Sequence, residues 1–143
     1  MQHQGLRFFV LGFVACAAVV GLTWSEPAAI QIEYLEIVTP EVDETIATLE
    51  KLHGVSFSDP VAVFGNARTA PLEGGGRISV RAPLRPDEEP VVRPYILSEK
   101  IEAAVEAAEK SGGAIAHPPY ELEGEFTFAI YLQGGNDFGL VQY

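Results

Sequence analysis

The residues of this chain best suited to chemistry lie in two short stretches, Tyr34-Leu35-Glu36 and Arg93-Pro94-Tyr95. In an extended strand, side chains two apart share a face, so Tyr34 stands beside Glu36 and Arg93 beside Tyr95. Tyr131 and the terminal Tyr143 are further tyrosines able to face the same interior. Arginine pairs with a carboxylate or stacks on a ring, while tyrosine offers a flat apolar wall with a hydroxyl at its tip. Tyr34, Glu36, Arg93, Tyr95 and Tyr131 therefore suit a small organic ligand with an anionic or planar group. The same residues equally allow Glu36 and Arg93 to pair with each other and the rings to fill the interior, leaving no ligand. Catalysis would need Tyr34 or Glu36 as an acid or base with its pKa tuned by a neighbour such as the arginine. Ser79 and Ser98 lack a partner histidine, so no activated nucleophile is visible.

These residues belong to a repeat. The first copy runs from Tyr34-Leu35-Glu36-Ile37-Val38 through a helical stretch, Glu41 to Leu52, to a break at His53-Gly54. The second runs from Arg93-Pro94-Tyr95-Ile96-Leu97 through Lys100 to Ser111 and breaks at Gly112-Gly113. Tyr34 superposes on Arg93 and Gly54 on Gly113 at one offset, the signature of duplicated modules that bury their faces together.

Alternation predicts a strand over Ile32 to Val38, with Leu35 and Ile37 toward helices and Tyr34, Glu36 and Val38 on the other side. Val42, Ile46 and Leu49 recur at helical spacing after Thr39-Pro40, where Thr39 or Glu41 can cap. Phe57 to Phe64, Arg68 to Leu72 and Ile78 to Ala82 read as strands, with Glu73-Gly74-Gly75-Gly76 as a hairpin turn. The polar, proline-rich run Pro83 to Pro90 reads as the linker between copies. In the second copy Ile101, Ala104, Val105 and Ala108 form one apolar stripe. Ala114 to Ala116, a Pro118-Pro119 corner, Phe126 to Leu132, the turn Gly134-Gly135-Asn136 and Phe138 to Tyr143 complete a second β-α-β-β-β order.

With 143 residues the chain has the length of one domain. Twenty acidic residues against nine basic give a net charge of −11, which argues against nucleic acid as a partner. Cys16, the single cysteine, lies in an apolar run, so the globular body has no disulfide and no cysteine-based metal site. Residues 1–28 place Arg7 before the unbroken apolar run Phe8 to Leu22 and a polar Thr23-Trp24-Ser25-Glu26-Pro27. That order predicts either a cleaved signal peptide or a single retained membrane anchor, and hence a bacterial-type protein exported to, or anchored on, the periplasmic or extracellular side. The domain proper is then 29–143.

The order and spacing of Glu36-Ile37-Val38-Thr39-Pro40-Glu41-Val42-Asp43, of Arg93 to Leu97 with its helix ending in Gly112-Gly113, and of the closing Gly135-Asn136-Asp137-Phe138-Gly139-Leu140-Val141-Gln142 resemble the vicinal oxygen chelate superfamily. That group includes lactoylglutathione lyases, bleomycin-resistance proteins and extradiol dioxygenases, and the likeness covers about residues 32–143. It implies an α+β fold of paired βαβββ modules, about 32–82 and 91–143, whose mixed sheet curls into a cup with helices on its outer face.

Enzymes of the superfamily hold a divalent metal with His, Gln or Glu from the first and last strands of each module. The matching positions here are Tyr34, Ser79 or Val80, Arg93 and Gly139. None is a histidine or a carboxylate, and a guanidinium has no lone pair to offer. His3, His53 and His117 are scattered and read as capping or surface residues. The resemblance thus implies a domain without metal or other cofactor that binds a small organic ligand between its modules as a homodimer. The alternative is a lyase, isomerase or dioxygenase-like enzyme with a non-standard active site.

Overall fold

The computed structural model describes residues 29–143. The signal or anchor expected at Phe8 to Leu22 lies outside them. Among the described residues no helix is long and apolar enough to cross a membrane.

The chain runs β1 (Ile32–Val38), α1 (Val42–His53), a 3-10 turn (Ala62–Phe64), β2 (Arg68–Pro71), β3 (Arg77–Arg81), β4 (Val91–Leu97), α2 (Ile101–Lys110), β5 (Ala114–Leu122), β6 (Phe126–Gln133) and β7 (Asn136–Gln142). All seven strands share one open, mixed sheet in the order β2-β3-β1-β4-β7-β6-β5. Each module's first strand pairs in parallel with its last, β1 with β3 and β4 with β7. The modules join where β1 meets β4 antiparallel, with Tyr34 opposite Tyr95 and Glu36 opposite Arg93.

The second module is a full β-α-β-β-β unit, but the first is one strand short. The segment expected as a strand over Phe57 to Phe64 makes only a bridge from Val61 to Ala67 and the 3-10 turn. Asp59-Pro60 interrupts it, since proline has no N–H for a ladder, and Gly65 and Asn66 then reverse the chain in left-handed conformation. Ser58 also holds the edge: its backbone N–H donates to the Thr69 carbonyl and its hydroxyl accepts the Thr69 N–H.

Two clusters sandwich the sheet. Beneath α2, Ile101 packs with Ala129 and Leu140, supported by Ala104, Val105 and Tyr131. On the opposite, concave face, Tyr34, Tyr95 and Val141 pack with Phe126, Phe128 and Ile130. Neither helix has a side-chain cap of its own. Thr39 Oγ1 instead accepts the Glu41 N–H ahead of α1, and Gln142 reaches from β7 to accept the Ile101 N–H at 2.7 Å. That last bond fixes α2 against the strand that carries Asp137 and Gly139.

Candidate ligand cup

Strand parity carries Tyr34 and Glu36 from β1, and Arg93 and Tyr95 from β4, onto the concave face, where all four are buried. They sit at the floor of an open cavity of about 820 Å³. Tyr131, expected among them, is elsewhere. On β6 the residues Phe126, Phe128, Ile130 and Leu132 line the cup, so Tyr131 is of the opposite parity. It stacks on Phe138 at 5.3 Å and packs under α2.

Glu36 is held from two sides. Arg81 Nε donates to its Oε1 at 2.7 Å, and Arg93 Nη1 to its Oε2 at 2.5 Å, where the Tyr95 hydroxyl also donates at 3.2 Å. Arg93 continues to Asp137 Oδ2 at 2.9 Å. Arg81 continues to both oxygens of Glu88, at 2.8 and 2.9 Å, and to the Ala82 carbonyl. The floor is thus one chain of charge, Asp137–Arg93–Glu36–Arg81–Glu88, in which opposite signs alternate. Alternation is what makes it tolerable, because a buried charge without a partner is strongly destabilising.

The chain of charge also sets the ionisation of its members. Burial alone would lower the pKa of Arg81 and of Arg93, but hydrogen bonds to Glu88 and to Asp137 respectively, with the nearby Glu36, raise both. The Arg81 hydrogen bonds hold the Glu88 carboxyl at about 2. Burial, then the Glu36 charge, push the Tyr95 phenol well above its ordinary value, and burial raises Tyr34. Both phenols are therefore neutral near pH 7, which makes them hydrogen-bond donors rather than bases.

Rings wall the cup. Tyr34 meets Tyr95 edge-on at 5.5 Å. Phe64 and Phe126 stack at 5.8 Å, and His117 stacks on Phe128 at 5.0 Å with Tyr120 edge-on to both. His117 is thus part of the cup wall rather than a plain surface residue. Its Nδ1 lies 2.7 Å from the Pro118 carbonyl. A carbonyl only accepts, so Nδ1 carries a hydrogen. His53, by contrast, is exposed at the end of α1.

The linker forms the remaining wall. Glu88 ties it to the floor and accepts the Leu84 N–H at 2.6 Å. Leu84 in turn lies so close over Gly65 that a Cβ there would stand 2.9 Å from its Cδ2. Arg81, Glu88 and Asp137 escaped the sequence reading. The alternation of Arg77, Ser79 and Arg81 with Ile78 and Val80 was the available signal for the first. Nothing short of the fold could bring Glu88 or Asp137 to the floor.

The positions that would supply metal ligands hold Tyr34, Ser79, Arg93 and Gly139. Among the described residues no three His, Cys, Asp or Glu side chains converge. Glu36 and Asp137 both face the site, yet the Arg93 guanidinium already bridges them. A divalent ion placed there would sit against a fixed positive charge, so these residues do not fit a metal.

No protein family and no curated protein matches the chain by sequence. Solved structures do match it in shape. The hypothetical protein BH1468 from Bacillus halodurans aligns with a TM-score of 0.62 at 12% identity, over 81% of this chain and 96% of that one. Methylmalonyl-CoA epimerase from Streptomyces coelicolor, in complex with 2-nitronate-propionyl-CoA, aligns at 0.58 and 15%, over 80% and 98%. The epimerase from Mycobacterium tuberculosis aligns at 0.57 and 14%, over 77% and 85%. Together with the module pairing across β1 and β4, these matches show that the chain has the vicinal oxygen chelate fold.

Proposed function

We propose that the protein binds a small organic molecule in the cup between its two modules, and does so without a metal. One observation carries this reading: a cavity of about 820 Å³ that keeps large apolar side chains in contact with water at its mouth. Val63, Leu84, Tyr120 and Leu132 all line it and are all exposed. Apolar side chains gathered around a concavity, above a few placed polar groups, are the usual make-up of a ligand site.

The internal ion pairs support the metal-free part. Arg93 does structurally what a divalent ion would do at that place, holding together carboxylates from the two modules.

The test is native mass spectrometry on the protein purified from cells, with elemental analysis alongside. The expected result is a non-covalent small molecule, or uptake of one from a metabolite mixture, without stoichiometric Zn, Ni, Fe or Mn. One tightly held metal equivalent that is lost in Glu36→Gln would overturn the reading.

A second reading is an epimerase-like or other enzyme. It has two supports: the S. coelicolor and M. tuberculosis neighbours are epimerases, and an imidazole, that of His117, stands in the cup wall. Turnover of a bound compound that disappears in His117→Gln would favour it.

A further inference from the structure

The ligand class follows from which charges in the cup are already spent. Sequence alone allowed an anionic or a planar group, with Arg93 as the partner of an anion. In the structure Arg93 gives Nη1 to Glu36 and Nη2 to Asp137, and its remaining Nε is buried out of reach. Arg81 gives Nε to Glu36 and both Nη atoms to Glu88. The third arginine of the cup, Arg85, lies beside Asp87 at 3.4 Å. Every guanidinium lining the cavity therefore faces a carboxylate of the chain itself.

The carboxylates are not spent in the same way. Glu89 lines the cavity and makes no ion pair among the described residues, and Asp87 is exposed with only the long contact to Arg85. Asp137 uses one oxygen on Arg93 and keeps the other. Five carboxylates, Glu36, Asp87, Glu88, Glu89 and Asp137, line the cup against three arginines, so it is net negative. An incoming anion would meet that excess, with Arg81 and Arg93 held by buried carboxylates and only the exposed Arg85, itself beside Asp87, to receive it.

The opposite wall is aromatic. His117, Tyr120, Phe126 and Phe128 present ring faces and edges along β5 and β6. Ring faces carry negative potential and attract cations, and flat rings stack on flat ligands. Resting on the reading of the cup as a ligand site, we infer that its ligand is a planar aromatic cation, inserted between the β5–β6 rings and the acidic linker. The rings would take its flat body, and Asp87 and Glu89 its positive charge.

Isothermal titration calorimetry of the full-length chain at pH 7.5 tests this with three probes: proflavine (planar, cationic), acridine (same ring system, uncharged at this pH) and anilinonaphthalene sulfonate (aromatic, anionic). The expected result is one proflavine bound at least tenfold more tightly than acridine, with the sulfonate weakest. Asp87→Asn/Glu89→Gln should remove the preference for proflavine, whereas Glu102→Gln/Glu106→Gln on the exposed face of α2 should leave it intact. Equal affinities for proflavine and acridine, both lost in the surface-exposed Tyr120→Ala, would overturn the charge class and leave the cup as a ligand site. Tighter binding of the sulfonate would overturn it likewise. Persistence of the preference in Asp87→Asn/Glu89→Gln would place the attraction away from the acidic linker and also overturn the inference. Binding of none of the three would overturn both this inference and the reading it rests on.

Discussion

The ring of Tyr95 fills the space in front of Gly139, its partner across the parallel β4–β7 pair: a Cβ at 139 would stand 2.5 Å from Tyr95 Cε1 and nearer still to Cδ1 and Cγ. Glycine is required at 139 because the tyrosine is where it is. Gly139→Ala should therefore cost about 1–3 kcal/mol, the range for overpacking a filled core. In a Tyr95→Ala background the same change should cost little. Equal losses in the two backgrounds, by thermal melting, would show that the ring is not the obstacle.

The Glu36–Arg93 pair should be structural. Both side chains are more than nine-tenths buried, so Arg93→Ala should lower stability by about 3 kcal/mol, the lower end for breaking a buried pair. It is the lower end because Arg81 still holds the other oxygen of Glu36. Glu36→Gln should also destabilise, and the double mutant should lose less than the two singles together by about 0.5–3 kcal/mol, as expected for residues in one network. Strict additivity in denaturant melts would contradict direct coupling.

Acid should weaken the linker's attachment. Glu88 has its carboxyl lowered from an ordinary 4.5 to about 2, first by its hydrogen bonds to Arg81. A lowered carboxylate pKa contributes stability that is full above the unfolded value and is lost as pH falls through the folded one. The loss should therefore fall between about pH 4.5 and 2. Melting temperatures of wild type and Glu88→Gln should differ most above that window and converge below it. A difference independent of pH would separate Glu88 from this acid transition.

Residues 1–28 should carry a fused reporter out of the cytoplasm, because a positive residue followed by an unbroken apolar run is the pattern the export machinery reads. Residues 29–143 expressed alone should fold, since the sheet, both helices and the floor network are complete within them. An unfolded truncation would show that the apolar run is part of the core.

How much of this was legible depended on whether the cause was local. The alternation over Ile32 to Val38 matched β1 residue for residue, and the stripe of Ile101, Ala104 and Val105 marked the buried side of α2. Both patterns are set by each element's own period. The Pro118-Pro119 pair was a corner in sequence but lies inside β5, which passes through it with shifts of register. β5 is an edge strand, where a missing N–H breaks no ladder. Tyr131 went to the wrong face although β6 begins at Phe126 as read, because the sequence does not say which parity of that strand enters the cup, and Phe126 and Phe128 do. The Glu36–Arg93 pair could be foreseen from the repeat. Its extension to Asp137, Arg81 and Glu88 could not, since those contacts span 44 or more residues or depend on the path of an irregular linker.

The register across β1 and β4 bears on why the two halves are fused. Tyr34 and Arg93 are equivalent by repeat, as are Glu36 and Tyr95, yet across the seam Tyr34 faces Tyr95 and Glu36 faces Arg93. Suppose the first half met a copy of itself in the same geometry: Tyr34 would stand opposite Glu36 twice over, with no cation crossing the seam. Two copies of the second half would set Arg93 opposite Tyr95, with no carboxylate crossing it. Only the mixed pairing puts acid against base on one side of the pseudo-twofold axis and ring against ring on the other. Each half has become the other's obligatory mate, and covalent linkage in one chain guarantees that they meet in equal number.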